Sequence, residues 1–255
     1  MAIPTLMPTT KRAKSPKAAK RFSLVPADAQ YEMVRALAAL KSSRSRLASG
    51  SEVAEIAVCL AAGEPCPVVL ACAGRGARCV CQNSRLFEVK GSGVSKRRLA
   101  AATLAAMDAL LHAAARDATS PSDSLATPAV VCAGGLESDP EAEQDYRAAF
   151  RFAARHKLPI LYVVANSLAP SQSRPLDLRT LYPEFGIPLF SVDANDAIAA
   201  YRVATEALHN ARHLRGPCVI EALAVPQPPS GAASPLELLA SYMERHGNPP
   251  PAELN

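Results

Sequence analysis

The stretch from Ala129 to Ala165, AVVCAGGLESDPEAEQDYRAAFRFAARHKLPILYVVA, decides the fold. It opens on five apolar residues, Ala129 to Ala133, and closes on Pro159-Ile160-Leu161-Tyr162-Val163-Val164-Ala165. Apolar runs without polar alternation suit strands covered on both faces. Between them Tyr146, Ala149, Phe150 and Ala153 recur at helical spacing, and Ser138 with Glu141 stands at capping-box distance. Strand, helix and strand of this kind predict parallel pairing with the helix as crossover. Downstream, a polar loop from Asn166 to Asp177 leads through a short turn to a strand at Leu189 to Val192. A helix from Asp196 to Arg212 and a strand from Cys218 to Val225 follow. The expected fold is α/β, a parallel sheet with helices on both faces. Ligands of such sheets lie beyond the strands' carboxyl ends, where Gly134-Gly135 and Asn166 stand.

Upstream, Asp28 can cap a helix carrying Val34, Leu37 and Leu40. Ser49 with Glu52 opens a short amphipathic helix whose face is Val53, Ile56, Ala57 and Leu60, stopped by Gly63 and Pro65. Residues 68–73, 78–82 and 86–89 read as short strands around a turn at Gly74-Arg75-Gly76. An alanine-rich helix from Ser95 to Arg116 presents Leu99, Leu104, Met107 and Leu111, then meets a polar loop at Thr119 to Thr127. Three units result: a disordered basic arm at 1–27, an α/β domain at 28–225, and at 226–255 a Pro-rich linker with an amphipathic helix at Leu236 to Met243.

The chain has 255 residues, 49% hydrophobic, with no Trp. No apolar run approaches the ~18 residues of a membrane span. The +5 net charge would suggest an anionic partner, but six of the 28 Lys and Arg precede the first acid, Asp28. The remaining 22 face 23 acids, so residues 28–255 give no such hint. Nucleic acid is not expected either, because the arm holds one aromatic, Phe22, for base stacking. Residues 1–27 also lack the apolar core of a secretory signal. The seven cysteines form no C-x-x-C pair and read as buried thiols of a cytoplasmic protein. His209 and His213 share a helix face at metal-ligating spacing, but surface histidines are the expectation there. The pairs Gly74-x-Gly76 and Gly91-x-Gly93 lack the strand, third glycine and helix of a dinucleotide fingerprint.

Three blocks in residues 130–224 form a more specific pattern: AARHKLPILYVVAN to Asn166, GIPLFSVDAND from Gly186, and GPCVIEA from Gly216. In order and interval they resemble the alpha subunits of thiamine-diphosphate-dependent 2-oxo acid dehydrogenases, the pyruvate and branched-chain type. Upstream, Gly50-Ser51-Glu52-Val53-Ala54 looks like the family's G-Q-E-A helix, and Gly74-Arg75-Gly76 sits where the family has an H-R-G-H-G loop.

The resemblance implies a thiamine-diphosphate-binding fold, oxidative decarboxylation of a 2-oxo acid, and a heterotetramer with a beta subunit that supplies the activating glutamate. A lipoyl domain of the acyltransferase would receive the acyl group. It also implies that Gly134, Gly135, Asn166 and Arg75 contact the cofactor. Magnesium would be held by Asn166, 31 positions after Gly135, with Glu137 or Asp139 as the substitute acid. The chain departs from the family in three places. The turn at Gly134-Gly135-Leu136 lacks the metal-binding aspartate; Ala77 and Cys79 stand where the family has histidines; and most of the family segment between Cys81 and Gly91 is missing. Loss of a carboxylate from an octahedral oxygen site weakens metal binding. The alternative expectation is therefore a non-catalytic family member, a pseudoenzyme acting as partner or scaffold.

Overall fold

The computed structural model describes residues 23–42, 51–71, 75–81, 86–88, 98–117, 127–133, 140–167, 178–214, 216–224 and 232–252. In chain order these form α1 (Ala27–Ser42), α2 (Ser51–Ala62), β1 (Val68–Leu70), α3 (Arg75–Val80), β2 (Leu86–Glu88), α4 (Arg98–Asp117) and β3 (Ala129–Ala133). Then follow α5 (Pro140–Arg155), β4 (Ile160–Ser167), α6 (Leu178–Phe185), β5 (Leu189–Asp193), α7 (Ala197–Leu214), β6 (Cys218–Ala224) and α8 (Pro235–Arg245). No described helix is long and apolar enough to cross a membrane.

The apolar runs form one six-stranded, fully parallel sheet in the order β2-β1-β3-β4-β6-β5. Parallel strands need crossovers, and a single crossover hand decides which face each helix covers. Steps toward β5, through α4, α5 and α6, run over one face; the return steps through α3 and α7 run over the other. Two hydrophobic cores result. One joins α1, α2, α3, α7 and α8 to Val68, Leu70, Val163 and Ile220. The other joins α4, α5 and α6 to Val69, Val131, Tyr162 and Val219. The expected α/β sheet with helices on both faces is therefore observed.

Four local expectations need correction. Residues 78–82 do not form a strand: Arg75 to Val80 form α3, and the glycine turn becomes its start. At Gly76 a Cβ would lie 2.1 Å from the Glu52 carbonyl oxygen, so glycine there lets the two helix starts touch backbone to backbone. Second, α2 is not amphipathic, because α1, α3 and α7 surround it and every residue from Ser51 to Cys59 is buried. Third, α4 turns its alanines inward: Ala102, Ala106, Ala109 and Ala113 are buried with Leu99, while Leu104 and Leu111 are 51% and 62% exposed. Small side chains let the helix lie close to β1 and β3, a fit that hydrophobicity alone does not reveal. Fourth, β4 continues through Ser167 where a loop was expected, and the short turn before β5 contains the eight-residue α6.

Capping accounts for several helix starts. Ser234 and Glu237 close a reciprocal box at α8. At α4 the cap comes from a neighbour: both carboxylate oxygens of Asp145 on α5 accept from the N–H groups of Leu99 and Ala100, at 2.7 and 3.1 Å. Inside the second core, Tyr146, Phe150 and Tyr162 stack edge to face at 5.8 and 5.1 Å. The Tyr162 hydroxyl shares a 3.0 Å hydrogen bond with Thr103, and burial pushes its pKa up. The capping box expected at Ser138 lies outside the described residues, as do that at Ser49 and most of the arm at 1–27.

Candidate functional site

Chain exits at the carboxyl end of the sheet diverge at two places. From β1 the chain turns into α3 on the first face, and from β3 it enters α5 on the second. From β4 it enters α6 on the second face, while β6 leads toward α8 on the first. Crevices at such switch points are where open parallel sheets take ligands.

Asn166, next to last in β4, stands at the second crevice. Its register partner on β6 is Leu223, and Glu221 lies opposite Val164 on β4 and Ser191 on β5. Because side chains alternate along a strand, Asn166, Glu221 and Ser191 fall on one face, that of Tyr162 and Val219. The Asn166 Nδ2 donates to Glu221 Oε1 at 2.7 Å, and Ser191 Oγ donates to Glu221 Oε2 at 2.9 Å. Asn166 and Glu221 are each 5% exposed. Asn166 Oδ1 is buried and has no hydrogen-bond partner among the described residues.

That orphaned oxygen is of the type magnesium takes as a ligand. The fit stops there. No group of three or more His, Cys, Asp or Glu side chains among the described residues could hold a metal ion. Glu221 faces the nitrogen end of the Asn166 amide, with both of its oxygens engaged by neutral donors. The described residues thus offer magnesium one oxygen rather than a coordination set. Gly134, Gly135 and Asp139 lie outside the described residues, and Arg75 is present as the first residue of α3.

At the first crevice the prominent group is Glu55 of α2. Its Oε2 accepts from the backbone N–H groups of Gly76 and Ala77 at 2.9 and 3.3 Å. Burial pushes its pKa up to about 7 against those hydrogen bonds, and the neighbouring Glu52 adds to the rise. Burial also contributes to a raised pKa at Cys59, where the contact with Cys132 is the larger cause. The apolar reading of α2 gave Glu55 no role; its signal was the three-residue spacing from Glu52, which puts both acids on one helix face. Glu221 stood in a recognised block without one. Its signal was a lone acid in the strand CVIEALA.

The rings of His209 and His213 lie against each other on α7, centroids 4.1 Å apart and tilted by 43°, where a ligand pair would converge on an ion. A cavity of about 180 Å³, lined by Lys157, Phe185, Pro188 and Pro217 among others, opens at the amino ends of β5 and β6. It is at the wrong end of the sheet for either crevice.

Residues 140–225 match the family described as the dehydrogenase E1 component, so the resemblance read from the three blocks is borne out over that segment. Two curated relatives are pyruvate dehydrogenase E1 component alpha subunits. That of Acholeplasma laidlawii is 33% identical over 87 residues, 32% of this chain and 25% of the relative. That of Rhizobium meliloti (strain 1021) is 36% identical over 80 residues, 29% of this chain and 23% of the relative. The matched stretch thus spans about a quarter of either relative's length. Among solved structures, a 2-oxoglutarate:ferredoxin oxidoreductase from Magnetococcus marinus aligns with 69% of this chain and 28% of its own, at 12% identity and a TM-score of 0.45. Benzoylformate decarboxylase from Polynucleobacter necessarius aligns with 86% and 36%, at 13% identity and a TM-score of 0.40.

Proposed function

We propose that this chain is an alpha-subunit-like component of a thiamine-diphosphate-dependent 2-oxo acid dehydrogenase and works in complex with a beta subunit, as a heterotetramer in the cytoplasm. The observation that carries the reading is the orphaned Oδ1 of Asn166, held at a switch-point crevice inside the segment that matches the E1 component. In this reading thiamine diphosphate supplies the carbanion-stabilising chemistry for decarboxylation of a 2-oxo acid. The chain's own part is positional. Asn166 would offer its amide oxygen to the magnesium-diphosphate end, and Gly134, Gly135 and Arg75 are the other residues this reading assigns to the cofactor. A lipoyl domain of the acyltransferase would be the acceptor of the acyl group.

A second reading, a non-catalytic partner or scaffold, is favoured by one specific observation. The sequence after β3 reads Gly134-Gly135-Leu136 without an aspartate, and among the described residues no group of three or more His, Cys, Asp or Glu could hold a metal ion. Calorimetric titration with thiamine diphosphate and magnesium, on the full chain alone and with a co-expressed beta subunit, separates the two. Micromolar binding that disappears in Asn166→Ala supports the dehydrogenase reading. Absence of heat in both preparations refutes it and leaves the partner role.

A further inference from the structure

We propose that Glu221 is a positioning residue: held by Ser191, it fixes the side-chain amide of Asn166 so that the oxygen, not the nitrogen, is presented at the carboxyl end of β4. The inference rests on the function proposed above only for the identity of the ligand that meets this oxygen.

An asparagine amide has a donor end and an acceptor end of nearly equal size, so packing alone does not choose between its two orientations. An ionised carboxylate only accepts, and beside it the amide must turn its NH2 group inward. Glu221 lies opposite Val164, two residues back from Asn166 along β4, and so draws Nδ2 toward the centre of the sheet. The oxygen is left on the side away from Glu221, one residue before β4 and β6 end together at Ser167 and Ala224. Ser191, directly opposite Glu221 on β5, occupies the other carboxylate oxygen and keeps the group from swinging toward solvent. One polar row thus crosses three adjacent strands, β5, β6 and β4, and ends in an acceptor with no partner among the described residues.

Stability is a poor reason for this row. A buried carboxylate satisfied by two neutral donors recovers little of its desolvation cost. An aliphatic side chain would pack there beside Val164 and Val219. Residues that orient a ligating group from behind, by contrast, typically change affinity about 10–100-fold when replaced.

The test uses the full chain with a co-expressed beta subunit, titrated with thiamine diphosphate and magnesium. Glu221→Leu, which keeps the volume and removes the acceptor, should weaken binding about 10–100-fold. Its thermal midpoint should be no lower than that of the unaltered chain. Glu221→Gln, whose side-chain oxygen still accepts from Asn166, should recover most of the affinity. Unchanged affinity with a lowered midpoint in Glu221→Leu would mean a structural role and overturn the proposal. A second readout needs no ligand: the NH2 protons of Asn166, identified by nitrogen-15 NMR through their loss in Asn166→Asp, should exchange slowly and speed up about tenfold in Glu221→Leu. If the unaltered chain takes up no cofactor, the dehydrogenase reading fails and exchange alone decides the positioning: faster exchange supports it, unchanged exchange overturns it. Should Glu221→Leu not fold, Ser191→Ala serves in its place, with the same direction and a smaller factor expected in both readouts.

Discussion

On the face that carries α2, Glu55 gives one carboxylate oxygen to the backbone N–H groups of Gly76 and Ala77; on the face that carries α5, Glu221 gives its two oxygens to the side chains of Asn166 and Ser191. The donors differ in what they can do. Backbone amides at a helix start cannot turn, so Glu55 fastens α3 to α2 and holds two elements in place. Side-chain donors can turn, so Glu221 transmits orientation. A buried acid of the same chemical type is a fastening in one setting and a pointer in the other, and its partners decide which.

The largest effect expected from this contrast is on the second face, where packing is aromatic. Phe150→Ala removes the ring between Tyr146 and Tyr162 and should cost about 3–5 kcal/mol in urea unfolding, because stacked rings cannot close the gap. A loss below about 1 kcal/mol would mean the stack is not what holds α5 to the sheet.

On the first face the expected effect is electrostatic and depends on pH. The folded-state pKa of Glu55 is raised from 4.5 to about 7. For a raised acid, the stability contribution is complete below the unfolded value and is lost as pH climbs through the folded one. The shift corresponds to about 3 kcal/mol between pH 4.5 and pH 8. Glu52, Cys59 and the Ser51 side chain face the same carboxyl, so the comparison is best made against Glu55→Gln, whose unfolding free energy should be flatter over that window. Parallel slopes in the two proteins would remove Glu55 as the source.

The smallest effect should come from the outer surface of α4. Leu111→Ser, at a position 62% exposed, should change stability by no more than about 0.5 kcal/mol. A larger loss would mean that Leu111 is covered in solution, and sedimentation of the same variant would reveal the partner.

The middle of the sheet was legible because β3, α5 and β4 carry their signals locally: unbroken apolar runs, then Tyr146, Ala149, Phe150 and Ala153 on one stripe. The stretch from Arg75 to Cys81 was not, since what makes it helical lies elsewhere in the chain. Its start is held by Glu55, 21 positions upstream of Gly76, and by the backbone of Glu52. Alternating residues around Cys79 and Cys81 imitate a strand only while those contacts are out of view. The site divides in the same way. Asn166 could be chosen from a short run in a recognised block, whereas the role of Glu221 appears only when residues 55 and 30 positions away come into register beside it.

The strand order has a consequence for how the protein is made. Among the described strands β6 is the last in sequence, yet it lies between β4 and β5 and is the only one of them paired with β5. As the chain leaves the ribosome, β5 emerges with both edges open and β4 with one, and they stay so until Cys218 to Ala224 arrive. Open apolar edges are templates for aggregation. Solubility during synthesis therefore hangs on seven late residues, and a chain cut just ahead of Cys218 should collect in the insoluble fraction although most of its core has been made.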